Sequence, residues 1–184
     1  MQNITESEAL FLLKKYSPDE RVFNIILAHS RAVQAVALRI TQEIVDNGYD
    51  ADIEFIRTAS LLHDIGRFFC PPKGKESILH GVKGAEILQK EGLDKRYCLA
   101  CERHIGPGID LYDIEHGKLN LPKKNYIPET MEEKIICYAD KLIEGDREAG
   151  IEKEIQRYRK ELSERVAQRL ISLHNEIEIL RKKR

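Results

Sequence analysis

The sequence predicts an all-α fold, and three observations carry that prediction. Apolar residues recur at intervals of three and four along most of the 184 residues, which is the period of an amphipathic helix. Capping signatures open several of these stretches, and glycines close them. No two alternating runs flank a turn signal, so no credible strand pair is expected.

The elements follow in order. Ser17-Pro18-Asp19-Glu20 reads as an N-cap, a first-turn proline and the Glu of a capping box. A long helix then runs to Asn47-Gly48, with the apolar stripe Val22, Ile26, His29, Val33, Val36, Ile40 and Ile44. A histidine in such a stripe is, by type alone, more often a hydrogen-bonded core residue than a ligand. A second helix is expected from Asp52 to Ile65, stopped by Gly66 and carrying His63-Asp64 in its last turn. Phe68 to Lys75 contains Pro71, Pro72 and Gly74 and reads as a loop. Its Gly-Lys is not a phosphate-binding loop, because the earlier glycine and the strand-to-helix setting are missing.

Helices resume at Ser77 to Glu91 and at Asp94 to His104. Ile105 to Pro128 reads as a long connection rich in glycine and proline, a length that is usually functional or mobile. Thr130-Met-Glu-Glu133 is a capping box opening a helix through Leu142 and Ile143 toward Gly145. From Ile151 the chain is charge-dense, and Ile151, Ile155, Tyr158, Leu162, Val166, Leu170, Leu173, Ile177 and Leu180 step along it. This is one long amphipathic helix, broken at most once. Residues 1–150 thus form the expected main domain and 151–184 a helical extension. That extension either lies on the body or makes a coiled-coil contact in a homodimer. Nothing catalytic is visible in it.

Composition narrows the function classes. Apolar residues at 42% and charged residues at 33% describe a soluble globular chain rather than a disordered one. Thirty basic against thirty-one acidic residues leave a net charge of −1, which argues against polymeric nucleic acid and anionic membrane as partners. The apolar runs are too short for a membrane span, and Met1 to Glu6 lack a signal pattern, so a cytoplasmic location is expected. Cys98 and Cys101 are a C-x-x-C pair, but Cys70 and Cys137 stand apart, so helix packing outweighs zinc or redox chemistry.

Chemistry concentrates in histidine and aspartate. His63-Asp64 lies beside a helix end, and His29 interrupts an apolar stripe. His104 shares a face with Ala100 and Tyr97, Asp140 flanks Ile136 and Ile143, and His80 heads a small-residue stretch. A buried unpaired carboxylate is expensive. Several helices that each turn one imidazole or carboxylate inward can build a metal site. His116 and His174 read as surface residues.

The ordered set His29, His63-Asp64 and Asp140, with Leu62-His63-Asp64-Ile65-Gly66, resembles the HD superfamily of metal-dependent phosphohydrolases in its HDIG form. The resemblance covers roughly residues 20 to 146. The added His80 and His104 are similar to the ligand set of HD proteins that hold two metals. Small stand-alone HDIG proteins are similar, and so are HD-type diadenosine tetraphosphate hydrolases, through His80 to Ala85 and Lys134 to Lys141.

The resemblance implies an HD helical bundle, to which the long charged C-terminal helix is added. It also implies one or two divalent transition metals: iron, manganese, cobalt, nickel or zinc. Asp64 would bridge the metals, His29, His63 and Asp140 would complete one site, and His80 and His104 the other. A single metal, with His80 and His104 on substrate phosphate, is the competing arrangement. The implied reaction is attack of a metal-activated water on a phosphoester or phosphoanhydride of a nucleotide or small phosphorylated metabolite. Asp64, Arg67 and Lys141 are the candidate catalytic residues, and Lys83 is a further cation for substrate. Lys123 and Lys124 would serve substrate if 105–128 walls the pocket rather than merely packing. A mixed-valent di-iron oxygenase and a non-catalytic metal- and nucleotide-binding sensor remain the other classes.

Overall fold

Side-chain caps set where the helices begin. In this computed structural model, which describes residues 3–74 and 76–182, Thr5 and Glu8 cap each other's backbone and open α1, Glu6–Tyr16. Met1, Gln2, Lys75, Lys183 and Arg184 lie outside the described residues. Asp19 accepts from the Val22 N–H and opens α2, Glu20–Asp46, which Asn47 and a left-handed Gly48 close. Asp52 opens α3, Ile53–Leu62, and a 3-10 turn follows over Ile65–Phe68. A second 3-10 turn, Ser77–Leu79, leads into α4, His80–Lys90, and then α5, Lys95–Arg103. Next come α6, Leu111–Gly117, and α7, Met131–Lys141, the latter opened by the Thr130–Glu133 box. A two-residue hairpin, β1 Ile143–Glu144 against β2 Arg147–Glu148, precedes α8, Ile151–Glu161, and α9, Glu164–Arg181.

The fold is all-α around one apolar cluster, with residues from α1 through α9 contributing to it. The long α2 is its axis. It packs mainly on α3 and α7, while α4 packs on α5 and on the 3-10 turn after α3. Helices α8 and α9 fold onto each other, and α9 lies against α7 and α2. Val166, Ala167, Leu170, Leu173 and Ile177 are buried there, so the stripe available to a coiled coil is used within the chain. Arg169 fixes α9 to α6 by bonding Asp113 at 2.7 Å, Asp110 at 2.9 Å and the Gly108 carbonyl at 2.7 Å. Among the described residues no helix is long and apolar enough to cross a membrane.

Several local expectations are corrected. The α2 cap is Asp19 rather than Ser17, whose hydroxyl instead donates to the Asp19 carbonyl at 2.7 Å. Helix α3 ends at Leu62, so Asp64 stands outside it. Gly66 is not a stop signal. It lies within the 3-10 turn, where a Cβ would meet the His80 carbonyl oxygen at 1.9 Å, so glycine is there to admit α4. The 105–128 connection contains α6, opened by a reciprocal Asp110–Asp113 box. The hairpin contradicts the expectation of no strand pair, whereas the single break allowed for in the C-terminal stripe falls at Leu162–Ser163, where Ser163 caps α9. His174 is half-buried and shares a 2.6 Å hydrogen bond with the Tyr138 hydroxyl, whereas His116 is exposed as expected.

Candidate metal centre

Each histidine of the site is aimed by a backbone carbonyl. The Nδ1–H groups of His63, His80 and His104 donate to Ser60 O at 2.7 Å, Ser77 O at 2.7 Å and Cys101 O at 2.6 Å, each three residues upstream. His29 Nδ1–H donates to the Gly145 carbonyl at 2.8 Å, which gives the hairpin a role in the site. A carbonyl only accepts, so each Nδ1 carries a proton, and Nε2 of the His80 and His104 rings is left as a lone pair.

The four Nε2 atoms meet two carboxylates. Asp64 Oδ1 is 3.3 Å from His104 Nε2 and 3.5 Å from His80 Nε2, while its Oδ2 is 3.7 Å from His29 and 4.0 Å from His63. Asp140 Oδ1 is 3.0 Å from His29 Nε2 and 3.5 Å from His63 Nε2. The residues His29, His63, Asp64, His80, His104 and Asp140 therefore converge as the sequence led one to expect. They fall into overlapping groups, each able to offer its atoms to one ion.

Two features fit these residues to a cation. The Nε2 of His63 is buried without a hydrogen-bond partner. The Nε2 atoms of His80 and His104 face each other at 2.9 Å. Burial pushes both rings below the ordinary imidazole range, so two lone pairs oppose each other. Donors bound to one ion at about 2.0–2.2 Å stand at comparable separations. Mixed imidazole and carboxylate donors suit iron, manganese, cobalt, nickel or zinc better than calcium.

The surrounding charges hold the carboxylates ionised. Burial opposes ionisation of Asp64, but Arg67, with Nε on Oδ1 at 3.2 Å, and the histidines hold its pKa well below the usual range. Asp140 is likewise held low against burial, chiefly by Lys141, whose buried ammonium bonds Asp140 Oδ2 and donates to the His104 carbonyl at 2.9 Å. Burial pulls the His29 pKa down, yet Asp140 and Asp64 outweigh it and raise the pKa to about 9.

A pH dependence follows for metal-free protein. His29 binds its proton more tightly folded than unfolded, so its contribution is full below about pH 6.5 and is lost as pH rises through about 9. His80 and His104 have lowered pKa values, so they withdraw stability as pH falls below about 6.5. Melting temperature after chelation is therefore expected to peak near pH 6.5 and fall on both sides. A flat profile from pH 5 to 9.5 would contradict these charge states.

The centre opens into a cleft of about 1420 Å³ lined by α2, the 105–120 segment, the hairpin and α8. Arg67 and Lys141 line it, but Lys83, Lys123 and Lys124 do not. Lys83 pairs with Glu86 at 2.9 Å, Lys123 with Glu115 at 3.2 Å and Lys124 with Glu102 at 2.6 Å. Of the long connection, Ile105, Gly106, Ile109 and Lys118 to Asn120 face the cleft. The sequence reading missed the α8 residues that line it, since no local signal says where the chain folds back. No cysteine joins the candidate metal groups among the described residues, and Cys101 Sγ contacts the Leu62 carbonyl at 3.2 Å.

Comparison with known proteins gives a family and a fold. A family model described as HD domain matches residues 14–145. An uncharacterized protein of Methanocaldococcus jannaschii is 38% identical over 177 residues, 95% of this chain and 98% of its own length. A tRNA (cytidine(56)-2'-O)-methyltransferase of Thermoplasma volcanium is 38% identical over 92% of this chain, and one of Picrophilus torridus is 35% identical over 94%. The chain spans only 45% and 46% of those two proteins. Among solved structures, the HD domain of the L. monocytogenes phosphodiesterase PgpH, in complex with cyclic-di-AMP, superposes with a TM-score of 0.57 at 18% identity. That match covers 95% of this chain and 92% of PgpH's, and at such identity it is a likeness of fold.

Proposed function

The chain belongs to the HD domain family, and from that premise we propose that it is a metal-dependent phosphohydrolase acting on a nucleotide or small phosphorylated metabolite. One observation carries the reading: Asp64 turns one carboxylate oxygen toward His80 and His104 and the other toward His29 and His63. In this reading His29, His63, Asp64 and Asp140 would hold one ion, and His80, His104 and Asp64 would hold a second. When bound, such ions supply Lewis acidity and an activated water. Arg67 fixes Asp64 and also bonds Ser77, which leaves its guanidinium at the cleft wall to meet phosphoryl oxygens. Lys141 acts one step back, orienting Asp140 and tying the end of α5 to α7.

The substrate class follows from the cleft. Its volume exceeds that of most small-metabolite pockets, about 300–1000 Å³, and Ile25, Ile105, Ile109 and Leu119 give it apolar wall beside the charged floor. The cyclic-di-AMP bound by PgpH supports a nucleotide. The names of the two longer relatives point toward tRNA, but the balanced charge of this chain favours a small substrate. We take residues 1–150 as the HD unit and 151–184 as an extension that walls its cleft.

Purified protein is expected to carry transition metal. It should release phosphate from nucleotides or p-nitrophenyl phosphate under anaerobic conditions with manganese, cobalt, nickel or iron. No release with any metal, together with substrate-dependent oxygen uptake, would overturn the proposal in favour of oxidation.

A further inference from the structure

Helix α8 begins at Ile151, beyond the 14–145 span that matches the HD family model. It nevertheless lines the metal cleft, through Lys153, Glu154, Gln156 and the residues after them. Tyr158 is its one aromatic residue, only 4% exposed, and it forms cleft wall together with Asp140 and Lys141. The Lys141 ammonium and the Asp140 carboxylate are close enough to act on its phenol electrostatically. Arg157 stands over the ring, 5.2 Å from its centroid, and pairs with Glu154. The phenol's own proton has no acceptor among the described residues. The oxygen is not among the polar atoms sealed from solvent without a partner, so its donor is open to the cleft that the residue lines.

The apolar stripe of α8 does not need that hydroxyl. Phenylalanine or leucine would fill the position between Ile155 and Leu162 equally well, so packing explains the ring and not the oxygen. The hydroxyl has a donor to offer and lacks an acceptor, and Lys141 and Arg157, each also paired with a carboxylate, bring positive charge to the same wall. We infer that Tyr158 is a further substrate-binding residue, donating its phenolic O–H to an anionic phosphoryl oxygen of the substrate held at the metal centre. The inference rests on the phosphohydrolase reading and adds to it that the C-terminal extension completes the site.

Inorganic phosphate is the probe, titrated calorimetrically into manganese-loaded protein. Tyr158→Phe keeps the ring and removes only the donor. It is expected to weaken phosphate binding about 10-fold or more, the loss typical of a hydrogen bond to a charged group, with metal content and melting temperature unchanged. Equal phosphate affinity in wild type and variant would overturn the role of Tyr158 while leaving the phosphohydrolase reading intact. Wild-type protein that takes up manganese but binds no phosphate would overturn both.

Discussion

Asp64→Ala is expected to strip the protein of most of its bound transition metal and all of its phosphate release, while leaving its helix content unchanged. The reason is that Asp64 approaches both histidine pairs, at 3.3 and 3.5 Å through one oxygen and 3.7 and 4.0 Å through the other. Its removal takes a donor from each half of the site and leaves the lone pairs of His80 and His104 opposed. Changes to groups that merely support metal ligands lower affinity about 10- to 100-fold, and loss of this shared donor should exceed that. Activity should fall further than the about 1000-fold seen when a single transition-state donor is removed. Asp64→Asn keeps the size and loses the charge, and should fail almost as badly. Metal-to-protein ratios read by elemental analysis decide the matter, and a normal ratio in Asp64→Ala would sink the assignment.

The second large effect lies in a residue with no side chain. Gly66→Ala would put a methyl group 1.9 Å from the His80 carbonyl oxygen and 2.6 Å from the Gly84 nitrogen. Both are backbone atoms of α4, so no rotamer change relieves the clash, and the helix must move away. Overpacking of this kind costs about 3 kcal/mol or more. Because α4 starts at His80, the displacement should also empty the half of the site that His80 and His104 form. Denaturant unfolding checks the stability, and a metal count checks the site. Gly92→Ala is the control: its φ is +77° but nothing lies within 4 Å of the added Cβ, so it should cost only the backbone strain of about 1–2 kcal/mol.

Particular residues explain what the sequence could and could not convey. Helices α5 and α7 were legible because capping is local chemistry, as with Asp94 and the Thr130–Glu133 box, whereas α2 was read from its apolar stripe and α4 has no side-chain cap to read. Helix α1 carries an equally clear box in Thr5 and Glu8 and was readable by the same rule. Helix α6 is seven residues long and is opened by a pair of aspartates, too short for a period to declare itself. Gly66 misled because close approach and chain termination call for the same residue. At the site, the six residues expected to bind metal are short side chains that the fold brings together, with the family resemblance supplying their order. Lysines on flexible stems follow the nearest carboxylate, which is why Lys83, Lys123 and Lys124 settled on Glu86, Glu115 and Glu102. Tyr158 reached the cleft only through the turn at Leu162–Ser163 and the packing of α8 on α9, which no window of sequence contains.

The carbonyl anchors on His63, His80 and His104 bear on the order in which the protein is built. Each ring is oriented by its own helical turn, three residues away, so the rotational entropy of the ligands is surrendered during folding rather than at loading. An ion bound at these residues would therefore meet donors that the chain itself has already aimed.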